Sequence, residues 1–281
     1  MTTPTRTIGL LHPGAMGSSI GAAATGNARV LWASDGRSGA TAERAARGGL
    51  EDAGSVEALV AASDAIVSVC PPHAAEDVAR QVAGLGFAGT YLDANAVSPA
   101  TARSVASIVE AAGARFVDGG IVGGPAWRAG TTRLYLSGDG AAEAARWFEG
   151  SPLGVVVIEG GAGAASTLKM TYAAYTKGST ALVTSILAVA RREGVEAALL
   201  EEWRTSQPDL VNGLERRLQG AAPKAWRWVG EMEEISATFE ASGLPGGFHA
   251  AAADLYSRLD RYQDADPPPS VDEIVDAALN D

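Results

Sequence analysis

Cysteine is almost missing from this 281-residue chain; Cys70 stands alone, so no internal disulfide can form. Histidine is nearly as scarce, and His12, His73 and His249 lie far apart, which leaves no Cys/His cluster with the spacing of a structural zinc site. No apolar run approaches the roughly 20 residues that a membrane helix requires. Residues 1–14, MTTPTRTIGLLHPG, also lack the charged, apolar and small-residue regions of a secretory leader, so a cytoplasmic protein with no membrane partner is expected. Positive charge is short: 22 Lys and Arg face 33 Asp and Glu, for a net charge of −11. The deficit falls on both halves, and such a surface repels polyphosphate, which excludes nucleic acid as an expected partner. Among the bases, lysine is the rarer type, found only at Lys169, Lys177 and Lys224.

What is present is an alternation of two textures. Over the first 160 residues, short β-branched runs at 7–11, 29–32, 65–69, 90–93, 115–118, 132–137 and 155–158 alternate with Ala-rich amphipathic stretches at 16–25, 40–47, 74–85, 100–112 and 141–147. That is the pattern of βαβ units, a parallel sheet covered by helices on both faces. After Gly160 and Gly161 the texture changes. Residues 164–192 contain no proline and no strong turn signal, which predicts one helix about 40 Å long at about 1.5 Å per residue. The segments 199–203, 210–218, 225–242, 249–262 and 271–279 also read as helical, broken at residues 243–247 and at Pro267-Pro268-Pro269. The expectation is an α/β, doubly wound Rossmann-type domain over residues 1–161, followed by an all-helical substrate and dimerisation domain over 162–281.

The first strand leads into His12-Pro13-Gly14-Ala15-Met16-Gly17, where the start of a helix offers N–H groups and a dipole to a pyrophosphate. Gly14 and Gly17 occupy the second and third glycine positions of a dinucleotide fingerprint, and His12 replaces the first. At the end of the second strand, Ser34, Arg37 and Ser38 combine one cation with two hydroxyls, a set suited to the ribose 2′-phosphate of NADP. Asp35 in the same loop leaves NAD open, and a solvated turn would leave the preference unreadable.

Together with further motifs, these residues make the chain resemble the β-hydroxyacid dehydrogenase superfamily, which includes 6-phosphogluconate and 3-hydroxyisobutyrate dehydrogenases. The resemblance runs in order through Gly14-Ala15-Met16-Gly17, Val69-Cys70-Pro71-Pro72, Asp93-Ala94-Asn95, the stretch from Asp118 to Pro125 that contains Val122-Gly123-Gly124, and Lys169 on the long helix. Residues 228–245 look like the uncharacterised helical domain of 6-phosphogluconate dehydrogenase-like proteins. The resemblance implies that Cys70, Pro71 and Pro72 lie near nicotinamide and that Asn95 approaches nicotinamide and substrate. It also implies that Val122, Gly123 and Gly124 hold a substrate carboxylate, and that the lysine acts on the hydroxyl or carbonyl. The chain departs from the family pattern at Asn95 and Val122, each in place of a serine, and at Ala173 in place of an asparagine. Thr176 stands where 6-phosphogluconate dehydrogenases carry a glutamate, so activity on that sugar phosphate is not expected.

The chemistry of individual residues is compatible with more than one role. An amine at Lys169, partly buried in a cleft between domains, would lose some preference for its charged form and act as general acid and base. Tyr172 and Thr176, three and seven residues on, share its helix face and would supply hydrogen bonding or packing. Asn95 would orient nicotinamide or substrate, or cap a turn. Cys70 has no base beside it and reads as a structural thiol next to the cofactor. His12, His73 and His249 are read as structural or as contacts to pyrophosphate, nicotinamide and a partner's active site respectively. Trp127 and Arg128 would line the substrate pocket, and Trp226, Trp228 and Phe239 a helical core or dimer interface.

The expected function is an NADP(H)-preferring oxidoreductase acting on a small, carboxylate-bearing carbonyl compound or secondary alcohol. Imine reduction on the same scaffold is one alternative, although imine reductases usually carry Asp or Tyr where Lys169 stands. A cofactor-binding sensor with little catalysis is another. A helical domain this short cannot bury a long helix alone, so a homodimer through the helical domains is expected.

Overall fold

The computed structural model describes residues 6–280; the first five residues of the stretch read for a leader lie outside them. The chain divides into two compact units, one ending at Met170 and the other beginning at Thr171. Among the described residues, no helix is long and apolar enough to cross a membrane.

The first unit contains strands β1 (Thr7–Leu11), β2 (Arg29–Trp32), β3 (Glu51–Asp52), β4 (Ala65–Ser68), β5 (Thr90–Asp93), β6 (Arg115–Gly123), β7 (Thr132–Ser137) and β8 (Gly154–Val157). Helices α1 (Ala15–Ala24), α2 (Gly39–Arg47), α3 (Val56–Ala62), α4 (Ala75–Gly84), α5 (Pro99–Ala111) and α6 (Ala141–Ala145) connect them. The strand order is β3-β2-β1-β4-β5-β6-β7-β8, a doubly wound sheet whose order reverses between β1 and β4. Alternate residues feed two cores. Ile8, Leu10, Val67, Leu92 and Val117 pack on one face. Leu11, Ile66, Tyr91 and Phe116 pack on the other, under α3, α4 and α5.

Three local features differ from the reading of the sequence. The strand expected at 115–118 continues to Gly123 and pairs antiparallel with β7, so the sheet is not wholly parallel. The glycines that look like a loop are needed for close packing: a Cβ on Gly120 would stand 2.6 Å from the Ala165 carbonyl oxygen and 3.0 Å from Lys169 Cβ. The other two are β3 and α3, which escape notice because they are short and their period is too brief to register. A Ser55 cap, with Oγ accepting from the Ala58 N–H at 3.2 Å, starts α3.

Helix α7 spans Ala164–Arg192, as the unbroken pattern predicts. The second unit continues with α8 (Glu196–Ser206), α9 (Pro208–Ala221), α10 (Ala225–Ala241), α11 (Gly247–Ser257) and α12 (Val271–Leu279). Within this unit, polar contacts tie the end of α7 to its neighbours. Arg191 bonds Glu196 at 2.8 Å, Asp272 at 2.5 Å and Asp276 at 2.9 Å. Lys177 pairs with Glu231 beneath Trp228, and the Tyr256 hydroxyl donates to the Lys177 carbonyl at 2.7 Å.

Candidate active site

The motifs singled out in the first unit meet at the carboxyl ends of its parallel strands, where open α/β sheets bind ligands. After β1, His12 turns the chain with φ of 66°, a left-handed conformation that a residue with a Cβ seldom adopts. The turn closes with the Gly14 N–H donating to the His12 carbonyl at 2.7 Å. Gly14 then begins α1 without a side-chain cap, so the first N–H groups of the helix have no intrahelical partner. A Cβ on Gly17 would stand 2.3 Å from the His12 carbonyl oxygen, so only glycine lets the helix pass this turn.

The His12 ring fits this setting as a neutral group. Burial first, and the Arg37 charge second, lower its pKa to about 4, and its buried Nδ1 has no partner in the fold. A histidine thus makes the turn normally made by glycine while leaving the uncapped helix start intact. An uncapped N-terminus beside an orphaned imidazole suits the pyrophosphate of a dinucleotide.

The loop after β2 is exposed at Arg37 and Ser38. Ser38 caps α2, accepting from the Thr41 N–H at 3.3 Å, and the Ser34 N–H donates to Asp52 at 3.2 Å. A residue the sequence reading passed over joins them: Arg44 Nε lies 3.4 Å from the Pro13 carbonyl and its terminal nitrogen 3.0 Å from the Thr41 hydroxyl. Its only signal in the sequence is a basic residue on α2, the helix that follows the second strand.

After β4 and β5 a buried polar network ties the loops together. Asn95, 2% exposed, accepts from the Cys70 N–H at 2.6 Å and donates to the Ser68 hydroxyl at 3.1 Å. Its own N–H donates to Asp93 at 2.8 Å. Asn95 therefore braces the Cys70-Pro71-Pro72 loop from below. Burial raises the Cys70 thiol to about 12, which leaves it protonated and inert, as a structural thiol should be.

Asp93 faces Asp118 in register on β6. Burial first, and Asp118 among the further causes, raise the Asp93 carboxyl to about 7, and its Oδ2 has no partner. Asp118 instead accepts from the Ser166 hydroxyl at 2.6 Å, the Ser166 N–H at 3.0 Å and the Ser137 hydroxyl at 3.2 Å. One turn beyond Ser166, half-buried Lys169 lies over Gly120. Strand β6 ends at Val122 and Gly123, and the loop that begins at Gly124 is held by the Thr132 hydroxyl donating to the Gly124 carbonyl at 2.6 Å and by the Ala126 N–H donating to Ser19 at 2.9 Å.

Residues 7–147 match the family described as the NAD binding domain of 6-phosphogluconate dehydrogenase. The chain belongs to this family. It is a nicotinamide-dependent dehydrogenase or reductase. Residues 190–259 match a second family, described only as a domain of unknown function. An uncharacterised 28.5 kDa protein of Methanothermus fervidus is 30% identical over 194 residues, covering 69% of this chain and 74% of its own. Among solved structures, the 3-hydroxyisobutyrate dehydrogenase of Mycobacterium tuberculosis with L-serine has a TM-score of 0.70 at 18% identity, over 97% of this chain and 98% of that one. The reductive aminase of Aspergillus terreus with NADPH and ethyl levulinate has a TM-score of 0.56 at 21% identity, over 98% and 99%.

Trp127 and Arg128 are exposed on the loop between β6 and β7, and His73 is exposed after β4. In the second unit Tyr172 is 45% exposed, and the Thr176 hydroxyl donates to the Tyr172 carbonyl at 3.3 Å. His249 is buried there between Phe239 and Phe248, with ring centroids at 4.4 and 5.1 Å.

Proposed function

We propose that the protein is an NADP(H)-preferring oxidoreductase that interconverts a carbonyl and a secondary alcohol on a small, carboxylate-bearing substrate. The observation that carries this reading is the seat of Lys169 on Gly120, in the strand that leads directly to Gly123 and Gly124. Nicotinamide, when bound, supplies the hydride-transfer chemistry. The N–H groups of Ala15, Met16 and Gly17, with His12 and Pro13, hold the pyrophosphate. Arg37, Ser34 and Ser38 receive the 2′-phosphate, with Arg44 beside them. The Arg37 charge, second to burial, also helps lower the His12 pKa, which supports this role.

In this reading Cys70, Pro71 and Pro72 line the nicotinamide end, shaped by Asn95. Val122, Gly123 and Gly124 orient the substrate carboxylate, with Trp127 beside it. Lys169 Nζ gives a proton to the carbonyl oxygen in reduction and takes it from the hydroxyl in oxidation. The exposed apolar side chains Tyr175, Leu182 and Val189 recur every seventh residue on α7, which supports a homodimer joined through the helical units.

Fluorescence titration with NADPH and NADH tests the cofactor, and a panel of carbonyl and imine substrates tests the reaction. NADPH should bind more tightly, and Lys169→Ala should abolish carbonyl turnover. Wild-type turnover by that variant refutes the mechanism. NADPH binding without turnover on any substrate marks a cofactor-binding sensor instead.

A further inference from the structure

The proposed reaction makes no use of Asp118, yet this carboxylate is 1% exposed and is the most heavily bonded acid at the carboxyl edge of the sheet. A buried carboxylate has to replace its lost water with donors, and the identity of those donors shows what it holds. Both Ser166 groups belong to the third residue of α7, where a helix N–H has no intrahelical partner and the dipole favours negative charge. The third donor, Ser137 on β7, repeats the arrangement. Its oxygen accepts from the Ala165 N–H at 3.1 Å, and its single proton is shared between Asp118 and the Gly161 carbonyl, 3.2 and 3.0 Å away. Two adjacent N–H groups at the start of α7 are thus fastened to two adjacent strands.

We infer that Asp118, through Ser166, is the positioning residue for Lys169, fixing the first turn of α7 on β6 and so the root of the lysine side chain, its Cβ, above Gly120. Ser166 precedes Lys169 by three residues, so the two lie one turn apart on the same side of the helix. Asp118 and Gly120 lie on the same face of β6, two residues apart, so the clamp and the lysine seat form one continuous contact. Lys169 is therefore placed by a charge-assisted clamp one turn away, in addition to its own contacts. The importance of that placement for catalysis rests on the role proposed above for Lys169; the clamp itself does not.

The experiment uses the full-length protein with Asp118→Asn, Ser166→Ala and Lys169→Ala. Ser166→Ala removes only the hydroxyl bond and keeps the backbone donor, so it stays informative if Asp118→Asn fails to fold. Two readouts are independent of turnover: amide hydrogen exchange over residues 164–170, and the pH profile of Lys169 labelling by an amine-reactive reagent, both read by mass spectrometry. Asp118→Asn should speed exchange in this segment about tenfold or more, with a smaller rise for Ser166→Ala, and both should shift the labelling profile. Exchange in β1 and the affinity for NADPH should remain as in the wild type. Unchanged exchange and labelling in a folded Asp118→Asn variant would overturn the inference. An altered labelling profile in Asp118→Asn combined with full turnover by Lys169→Ala retains the clamp and refutes the catalytic reading. The reverse pair of results refutes the clamp alone.

Discussion

Asp93 and Asp118 stand opposite each other in register on β5 and β6, both buried, and the donors are divided unequally between them. Asp118 receives three donors, whereas Asp93 receives the Asn95 N–H at one oxygen and nothing at the other. Burial first, and the neighbouring Asp118 among the further causes, make Asp93 hold its proton to higher pH.

That asymmetry predicts a pH-dependent stability. The Asp93 carboxyl is raised from 3.8 to about 7 in the fold, so between these values the folded state retains a proton that the unfolded chain has released. Its contribution is therefore complete below about pH 4 and is lost as pH rises through 7. At about 1.4 kcal/mol per pKa unit, the loss is about 4 kcal/mol. Asp93→Asn should remove this slope and, after the cost of a buried amide N–H, leave the protein about 2 kcal/mol more stable at pH 8. Denaturant unfolding of both proteins at pH 5 and pH 8 checks the prediction.

His12 has the opposite sign. Its pKa falls from 6.5 to about 4, so the unfolded chain binds the proton first and stability drops as pH falls through that window. His12→Gly should flatten this acid limb and relieve about 1 kcal/mol of left-handed strain at φ of 66°. Thermal melts from pH 4 to pH 7 should show the two curves converging above pH 6.5, apart from a constant offset.

Arg37→Ala should lower NADPH affinity about tenfold and leave NADH affinity nearly unchanged, the loss of one charge-assisted contact to phosphate. Arg44→Ala should reduce the affinity for both, because Arg44 bonds the Pro13 carbonyl in the fingerprint loop. Titration with each dinucleotide separates the two effects; an equal loss for both from Arg37→Ala would assign Arg37 elsewhere.

Gly120→Ala introduces a methyl group 2.6 Å from the Ala165 carbonyl oxygen. Overpacking at that distance should cost about 1–3 kcal/mol and displace Lys169. Turnover should fall more than NADPH affinity, since the fingerprint loop lies on other strands.

Tyr175→Asp together with Val189→Asp should give a monomer by light scattering, with NADPH binding retained. A wild-type protein that is already monomeric at micromolar concentration would refute the dimer.

Much of the first unit was legible in the sequence because its signals are local. Short apolar, β-branched runs marked β1, β2 and β5, and the absence of proline or turn residues marked α7 from end to end. Gly14 and Gly17 marked the fingerprint despite His12. The extension of β6 was not legible, since Asp118-Gly119-Gly120 scores as a turn until the helix that packs on it is known. Arg44 was not legible either, because a basic residue on an amphipathic helix looks like ordinary surface.

By itself the sequence determined the alternating sheet and helix order, the dinucleotide loop and the rarity of lysine that draws attention to Lys169. These follow from periodicity and from backbone preferences within a few residues. Only the tertiary structure decided that Asn95 spends its amide on Cys70 and Ser68, that Asp118 rather than Asp93 collects the buried donors, and that Ser166 is the group it holds. These depend on desolvation and on hydrogen bonds between residues as far as 48 positions apart, which no local pattern encodes.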